Sequence, residues 1–185
     1  RQKSEYEGQT FKKHIGKNIL PDHMSIVFNP TLKTYAEKNL MGYYKYDDEG
    51  IRARPVTIFD SGILTGFLMS RSPIENFSNS NGHGRAQAGY QPVSRQSNMI
   101  IESTSPVSEE KLREKLIELC KEQGKTYGLY FKDVQGGFTF TGRSMPNSFN
   151  LLPTEVYRIY TDGRPDELVR GVDLVGTPLV MLSMI

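Results

Sequence analysis

Seventeen glycines and ten prolines punctuate the 185 residues. They cut the chain into short runs, so a hydrophobic pattern rarely persists long enough to make a helix. One segment escapes. Ser108 is a favourable N-cap, and Glu109 and Glu110 follow in the first turn, where the helix dipole favours anions. Leu112, Leu116 and Leu119 recur at i, i+4 and i+7; Cys120 continues that stripe, Ile117 widens it, and Gly124 is a natural stop. The spacing predicts a helix over about 108–123, with its stripe packed in the core.

The remainder reads as strands and turns. Pro55 to Phe59, Asp60-Ser61-Gly62 and Ile63 to Met69 predict a hairpin. Glu155 to Tyr160, Thr161-Asp162-Gly163 and Leu168 to Val175 predict a second, with a longer loop. Tyr127 to Phe131 and Gly137 to Thr141 flank an expected turn at Gly136-Gly137, and Asn98 to Glu102 is a short strand leading into the helix. The segment Arg71 to Arg95 lacks apolar periodicity and is rich in Asn, Ser, His and Arg. Loops longer than ~12–15 residues are usually functional or disordered. The fold class is therefore α+β: a mainly antiparallel β-sheet, one clear helix (about 108–123) and a long polar loop (about 71–95), in a single domain over 1–185.

Composition narrows the function classes. Hydrophobic residues are 37% and charged residues 24%, which excludes a disordered chain, a collagen and a coiled coil. No window approaches ~18 uninterrupted apolar residues, so no membrane-spanning helix and no membrane partner are expected. The net charge of +2 comes without a Lys/Arg block, so a nucleic-acid partner is not expected either. The one cysteine, Cys120, excludes an internal disulfide and fits a reducing compartment, with the cytoplasm favoured. The chain begins at Arg1 without a signal-peptide run and closes on the apolar Gly176 to Ile185. Natural termini are usually polar, so these ends read as those of a piece of a larger protein.

Motifs for chemistry are sparse. The three histidines, His14, His23 and His83, form no His-Glu-x-x-His pattern. There is no Gly-x-Ser-x-Gly elbow and no phosphate-loop lysine. Cys120 falls on the apolar helix face, where it reads as a small buried residue. Asp47-Asp48-Glu49-Gly50 could bind a hard cation, but it lacks the spaced oxygens of a calcium loop and reads better as a solvated turn. The sharpest signal is Asn81-Gly82-His83-Gly84-Arg85. Its glycines allow close approach or positive φ, His83 can donate, accept or shuttle a proton, and Arg85 offers a forked donor for oxygens. The alternative is a polar turn that satisfies its own backbone.

Taken together, Glu7-Gly8-Gln9-Thr10-Phe11, Asp47-Asp48-Glu49-Gly50, Ile58-Phe59-Asp60-Ser61-Gly62-Ile63-Leu64-Thr65-Gly66-Phe67, Ser80-Asn81-Gly82-His83-Gly84-Arg85 and Val169-Arg170-Gly171-Val172-Asp173-Leu174-Val175-Gly176 resemble, in order and spacing, the C-terminal portion of the TldD/PmbA family. That family comprises zinc metallopeptidases also called modulators of DNA gyrase. The resemblance implies a catalytic zinc on a His-Glu-x-x-x-His motif upstream of Arg1 and a cysteine ligand downstream of Ile185. It therefore implies no metal ligand and no catalytic residue within this chain. The metal would generate the attacking water and polarise the scissile carbonyl. This chain would then add scaffold and peptide-binding surface, with Asn81, Gly82, His83, Gly84 and Arg85 as candidate substrate-binding residues and strand edges open to an extended peptide. The resemblance also implies a homo- or heterodimer acting on peptide or unfolded polypeptide. The alternative is a catalytically silent partner subunit of the same family. The gyrase name also raises nucleic-acid binding, against which the near-neutral charge argues.

Overall fold

A computed structural model describes residues 11–140 and 148–185. Of the stretches that carry the resemblance, Glu7 to Thr10 lie outside the described residues. The chain divides into two compact units, 1–104 with 182–185 and 105–181. The architecture is mainly antiparallel sheet with one long helix, as the α+β reading requires.

The first unit opens with a 3-10 turn (Phe11–His14) and strand β1 (Met24–Phe28). A small ribbon of β2 (Thr34–Tyr35) and β3 (Lys38–Asn39) follows, then β4 (Val56–Asp60) and β5 (Ile63–Leu64). Next come β6 (Gly84–Arg85), β7 (Val93–Ser94) and β8 (Met99–Ser103). The main sheet runs β5-β4-β1-β8. The predicted hairpin is present with its second arm cut to Ile63–Leu64 rather than running to Met69: Ser61 (φ 49°) and Gly62 (φ 82°) form the two-residue turn between β4 and β5, the conformation that matches strand twist. Alternation sends Ile26 and Phe28 inward from β1, where they meet Ile19, Leu20, Phe59 and Leu64. Residues 71–95 are less irregular than the sequence suggests. They hold the β6–β7 pair and a bridge between Ile74 and Phe77. Two-residue strands leave no periodicity to detect.

The second unit contains helix α1 (Glu109–Glu122), β9 (Tyr127–Phe140), β10 (Ser148–Tyr160), β11 (Glu167–Val169) and β12 (Leu174–Gly176). A short helix, α2, spans Pro178–Ser183. Ser108 caps α1 by accepting the Lys111 N–H at 3.3 Å, and Gly124 (φ 65°) follows its end. The stripe is only partly buried. Leu116 and Cys120 cover Gly128 of β9, whereas Leu112 is 56% and Leu119 51% exposed. This corrects the expectation of a fully packed stripe, because one helix facing a narrow sheet covers only its nearest strand.

Two further expectations change. Gly136-Gly137 is not a turn: β9 continues through it and pairs with β10 from Tyr127 to Phe140, with the register shifting next to Gly136. A Cβ at Gly137 would collide with the Asn150 carbonyl of the partner strand, so the glycine permits close strand approach. The predicted arm Leu168 to Val175 is interrupted. β11 pairs with Val156 to Arg158 and β12 with Phe149 to Leu151, and the chain leaves the β10 edge at Gly171 (φ 72°). No helix among the described residues is long and apolar enough to cross a membrane.

Candidate functional site

Two sequence signals, the acidic cluster and the Asn-Gly-His-Gly-Arg motif, meet in the first unit. The acidic residues form a tight turn closed by a bridge between Tyr46 and Arg52 and by the Asp47 N–H donating to the Ile51 carbonyl at 2.9 Å. The Asp47 carboxylate accepts the backbone N–H groups of Glu49 (3.0 Å), Ile51 (2.8 Å) and, from β6, Gly84 (2.9 Å). It is 5% exposed, which corrects the solvated-turn reading. A carboxylate with three amide donors can be buried because its charge is hydrogen-bonded on all sides.

The neighbouring acids repeat this scheme. Asp48 accepts the Ala86 N–H at 2.6 Å and Arg85 Nε at 3.1 Å. These contacts, the amide foremost, hold its carboxyl below the usual range. Glu49 accepts the Arg71 N–H at 2.6 Å and lies against Gly84 so closely that any side chain there would collide with it. The three carboxylates thus dock the turn onto β6. Among the described residues, no group of three or more His, Cys, Asp or Glu side chains is placed to hold a metal ion. The residues described do not fit a zinc site.

The candidate binding residues divide by accessibility. The Asn81 amide accepts the Met69 N–H and donates to the Phe67 carbonyl, each at 2.8 Å, tying its loop to the preceding segment. Gly82 (φ 79°) occupies the left-handed region, and a Cβ there would lie 2.5 Å from the Arg52 carbonyl oxygen. His83 is wholly buried, with Nδ1 3.3 Å from the Asn81 carbonyl and Nε2 3.1 Å from Ser97 Oγ. Burial pushes its pKa down and favours the neutral ring. It touches no solvent, so its part is to shape the turn from behind. Arg85 alone reaches outward: its side chain is 37% exposed, paired with Asp48 and stacked 4.4 Å over the Tyr44 ring.

Sequence reasoning missed Tyr44. Its hydroxyl donates to the Gly82 carbonyl at 2.9 Å, its ring meets His83 edge-on at 6.4 Å and Arg85 stacks on its face, so one side chain touches three residues of the motif. Burial raises its phenol pKa, against the pull of Arg85. Ser97 and Asn98 were missed too. Asn98 binds the Gly42 N–H (2.7 Å) and the Asn29 and Leu32 carbonyls (3.1 and 2.9 Å). The run Tyr43-Tyr44-Lys45-Tyr46 was the signal available for the first of these.

The PmbA/TldA metallopeptidase C-terminal domain model matches residues 1–185. A metalloprotease of Methanocaldococcus jannaschii is 28% identical over 173 residues, 93% of this chain and 34% of that protein. A metalloprotease of Methanothermobacter thermautotrophicus is 29% identical over 170 residues, 91% of this chain and 33% of its own length. The chain therefore spans about a third of the length of the curated relatives it matches. Among solved structures, TldE from Thermococcus kodakarensis superposes with a TM-score of 0.60 at 15% identity, covering 94% of this chain and 36% of that one. A candidate modulator of a DNA gyrase from Thermotoga maritima gives 0.59 at 17% identity, covering 96% and 36%. At these identities the structural likeness speaks for the fold.

Proposed function

The chain belongs to the PmbA/TldD metallopeptidase family, and from that premise we propose that it supplies scaffold and peptide-binding surface to a zinc-dependent peptidase whose zinc ligands and catalytic glutamate lie outside these 185 residues. The observation that carries this reading is the division within the motif. Asn81, Gly82, His83 and Gly84 are held by internal hydrogen bonds or close packing, while Arg85 presents a forked cation at the surface. An arginine pinned by Asp48 and Tyr44 loses little freedom when it binds a substrate carbonyl or carboxylate. In this reading Arg85 orients the peptide, and the buried turn keeps Arg85 in place.

Replacing Arg85 with Ala in the intact protein should lower kcat/KM for peptide hydrolysis by about tenfold or more, with the melting temperature little changed. Wild-type kinetics in that variant would remove Arg85 from the substrate site. The intact protein should also bind zinc and lose activity to a chelator, whereas residues 1–185 alone should not cleave peptides. Chelator-sensitive cleavage by the isolated segment would overturn the placement of the ligands outside it.

A further inference from the structure

A cleft of about 460 Å³ opens beside Tyr44 in the first unit, walled by Tyr43, Tyr44 and Tyr46 and carrying Lys45 and Arg52. We propose that this cleft recognises carboxylate side chains of a peptide, so that the protein prefers acidic substrates; the inference rests on the peptide-binding reading above. The size is in the range of side-chain and small-ligand sites, ~300–1,000 Å³. What selects the ligand is charge.

Lys45 and Arg52 are exposed and make no salt bridge among the described residues. The acids nearest in sequence are already engaged: Asp47 by three backbone amides, Asp48 by Arg85 and the Ala86 amide. Lys33, outside the lining, lies 5.0 Å from the centre of the Tyr43 ring and adds to the positive charge nearby. The cleft is thus a positive site in a chain whose net charge is only +2.

The backbone prepares it. Arg52 is the bridge partner of Tyr46, and the Ala53 N–H donates to the Lys45 carbonyl at 3.0 Å. The two cations therefore project from hydrogen-bonded segments on either side of the acidic turn. The Tyr44 ring is fixed by its hydroxyl bond to Gly82. A carboxylate entering the cleft would meet the Arg52 fork or the Lys45 ammonium, and its aliphatic stem would lie along the tyrosine rings. A nucleic acid would want a longer track of cations following its phosphates. Two cations in one short cleft suit a single side chain better.

The test measures binding to the intact protein, at low and physiological salt, of a labelled Glu-rich peptide, its Gln counterpart of equal length and a single-stranded oligonucleotide. The Glu-rich peptide should bind about tenfold tighter than its Gln counterpart at low salt, with the difference shrinking as salt rises. Combining Lys45→Gln with Arg52→Gln should bring the two peptides together; both side chains are exposed, so the fold should tolerate the exchange. Equal binding of the two peptides by the wild type overturns the inference and leaves the peptide-binding reading standing. So does tighter binding of the oligonucleotide than of the Glu-rich peptide. Binding of neither peptide overturns both.

Discussion

The acidic turn of the first unit and the β9–β10 ribbon of the second both rely on backbone hydrogen bonds, but they treat polar and apolar groups in opposite ways. Around the turn the polar groups are inside: Asp47 is 5% exposed and His83 not at all. Along the ribbon one face is buried through Phe149, Val156 and Ile159, but much of the apolar surface stays outside: Phe138 is 66% and Leu152 52% exposed. Its charges also lie at the surface, as in the Lys132–Glu155 pair, where solvent screens the attraction and the pair contributes little. A buried carboxylate accepts only the partners that match its geometry, so the turn has one arrangement. A ladder of exposed pairs tolerates substitution at most of its positions. The difference is the ground for proposing substrate contact beside the turn: a rigid, satisfied polar framework can hold one outward arginine in place.

Replacing Asp47 with Ala should break the turn most severely. Three amides would lose their acceptor in a buried place, a loss of about 4 kcal/mol. Hydrogen exchange at residues 81–86 would report it as faster local opening. Protection unchanged within about 1 kcal/mol would show that the carboxylate does not hold the turn.

His83 gives an intermediate effect with a defined pH sign. Its folded pKa lies below its ordinary value of ~6.5. Between the two values the unfolded chain binds the extra proton, so this contribution to stability is present above pH ~6.5 and is lost as pH falls below it. Denaturation midpoints should therefore drop from pH 7 to pH 5, and His83→Gln should flatten that slope while lowering stability at pH 7. An equal slope in the variant would show that the ring is not held neutral.

The smallest effect belongs to the second unit. Leu119→Gln on the exposed part of the helix stripe should change stability by no more than about 0.5 kcal/mol in chemical denaturation. A loss of 2 kcal/mol or more would mean that this face is packed as a core, and the contrast between the two regions would fail.

Much of the fold was legible because its signals are local. The cap at Ser108, the acidic first turn and the stop at Gly124 lie within one helix length of what they control. The Ser61-Gly62 turn is set by the two residues that form it. Gly136-Gly137 was misread because a glycine that opens a turn and one that admits a neighbouring strand look the same until Asn150 is in place. In the candidate site, the motif could be picked out but the direction of its side chains could not. Whether His83 or Arg85 meets solvent depends on Ser97, Tyr44 and Asp48, which reach the motif only through folding.

By itself the sequence determined the α+β class, the helix and its limits, the β4–β5 hairpin and the family resemblance, because each depends on residue types at short, fixed spacings. Tertiary structure alone decided that Asp47 and Gly84, 37 residues apart, share a hydrogen bond, and that the acidic cluster anchors the glycine motif. It also left Arg85 as the motif's outward cation. The physical reason is that burial and hydrogen-bond partnership belong to pairs of segments, and a linear pattern carries information about one segment at a time.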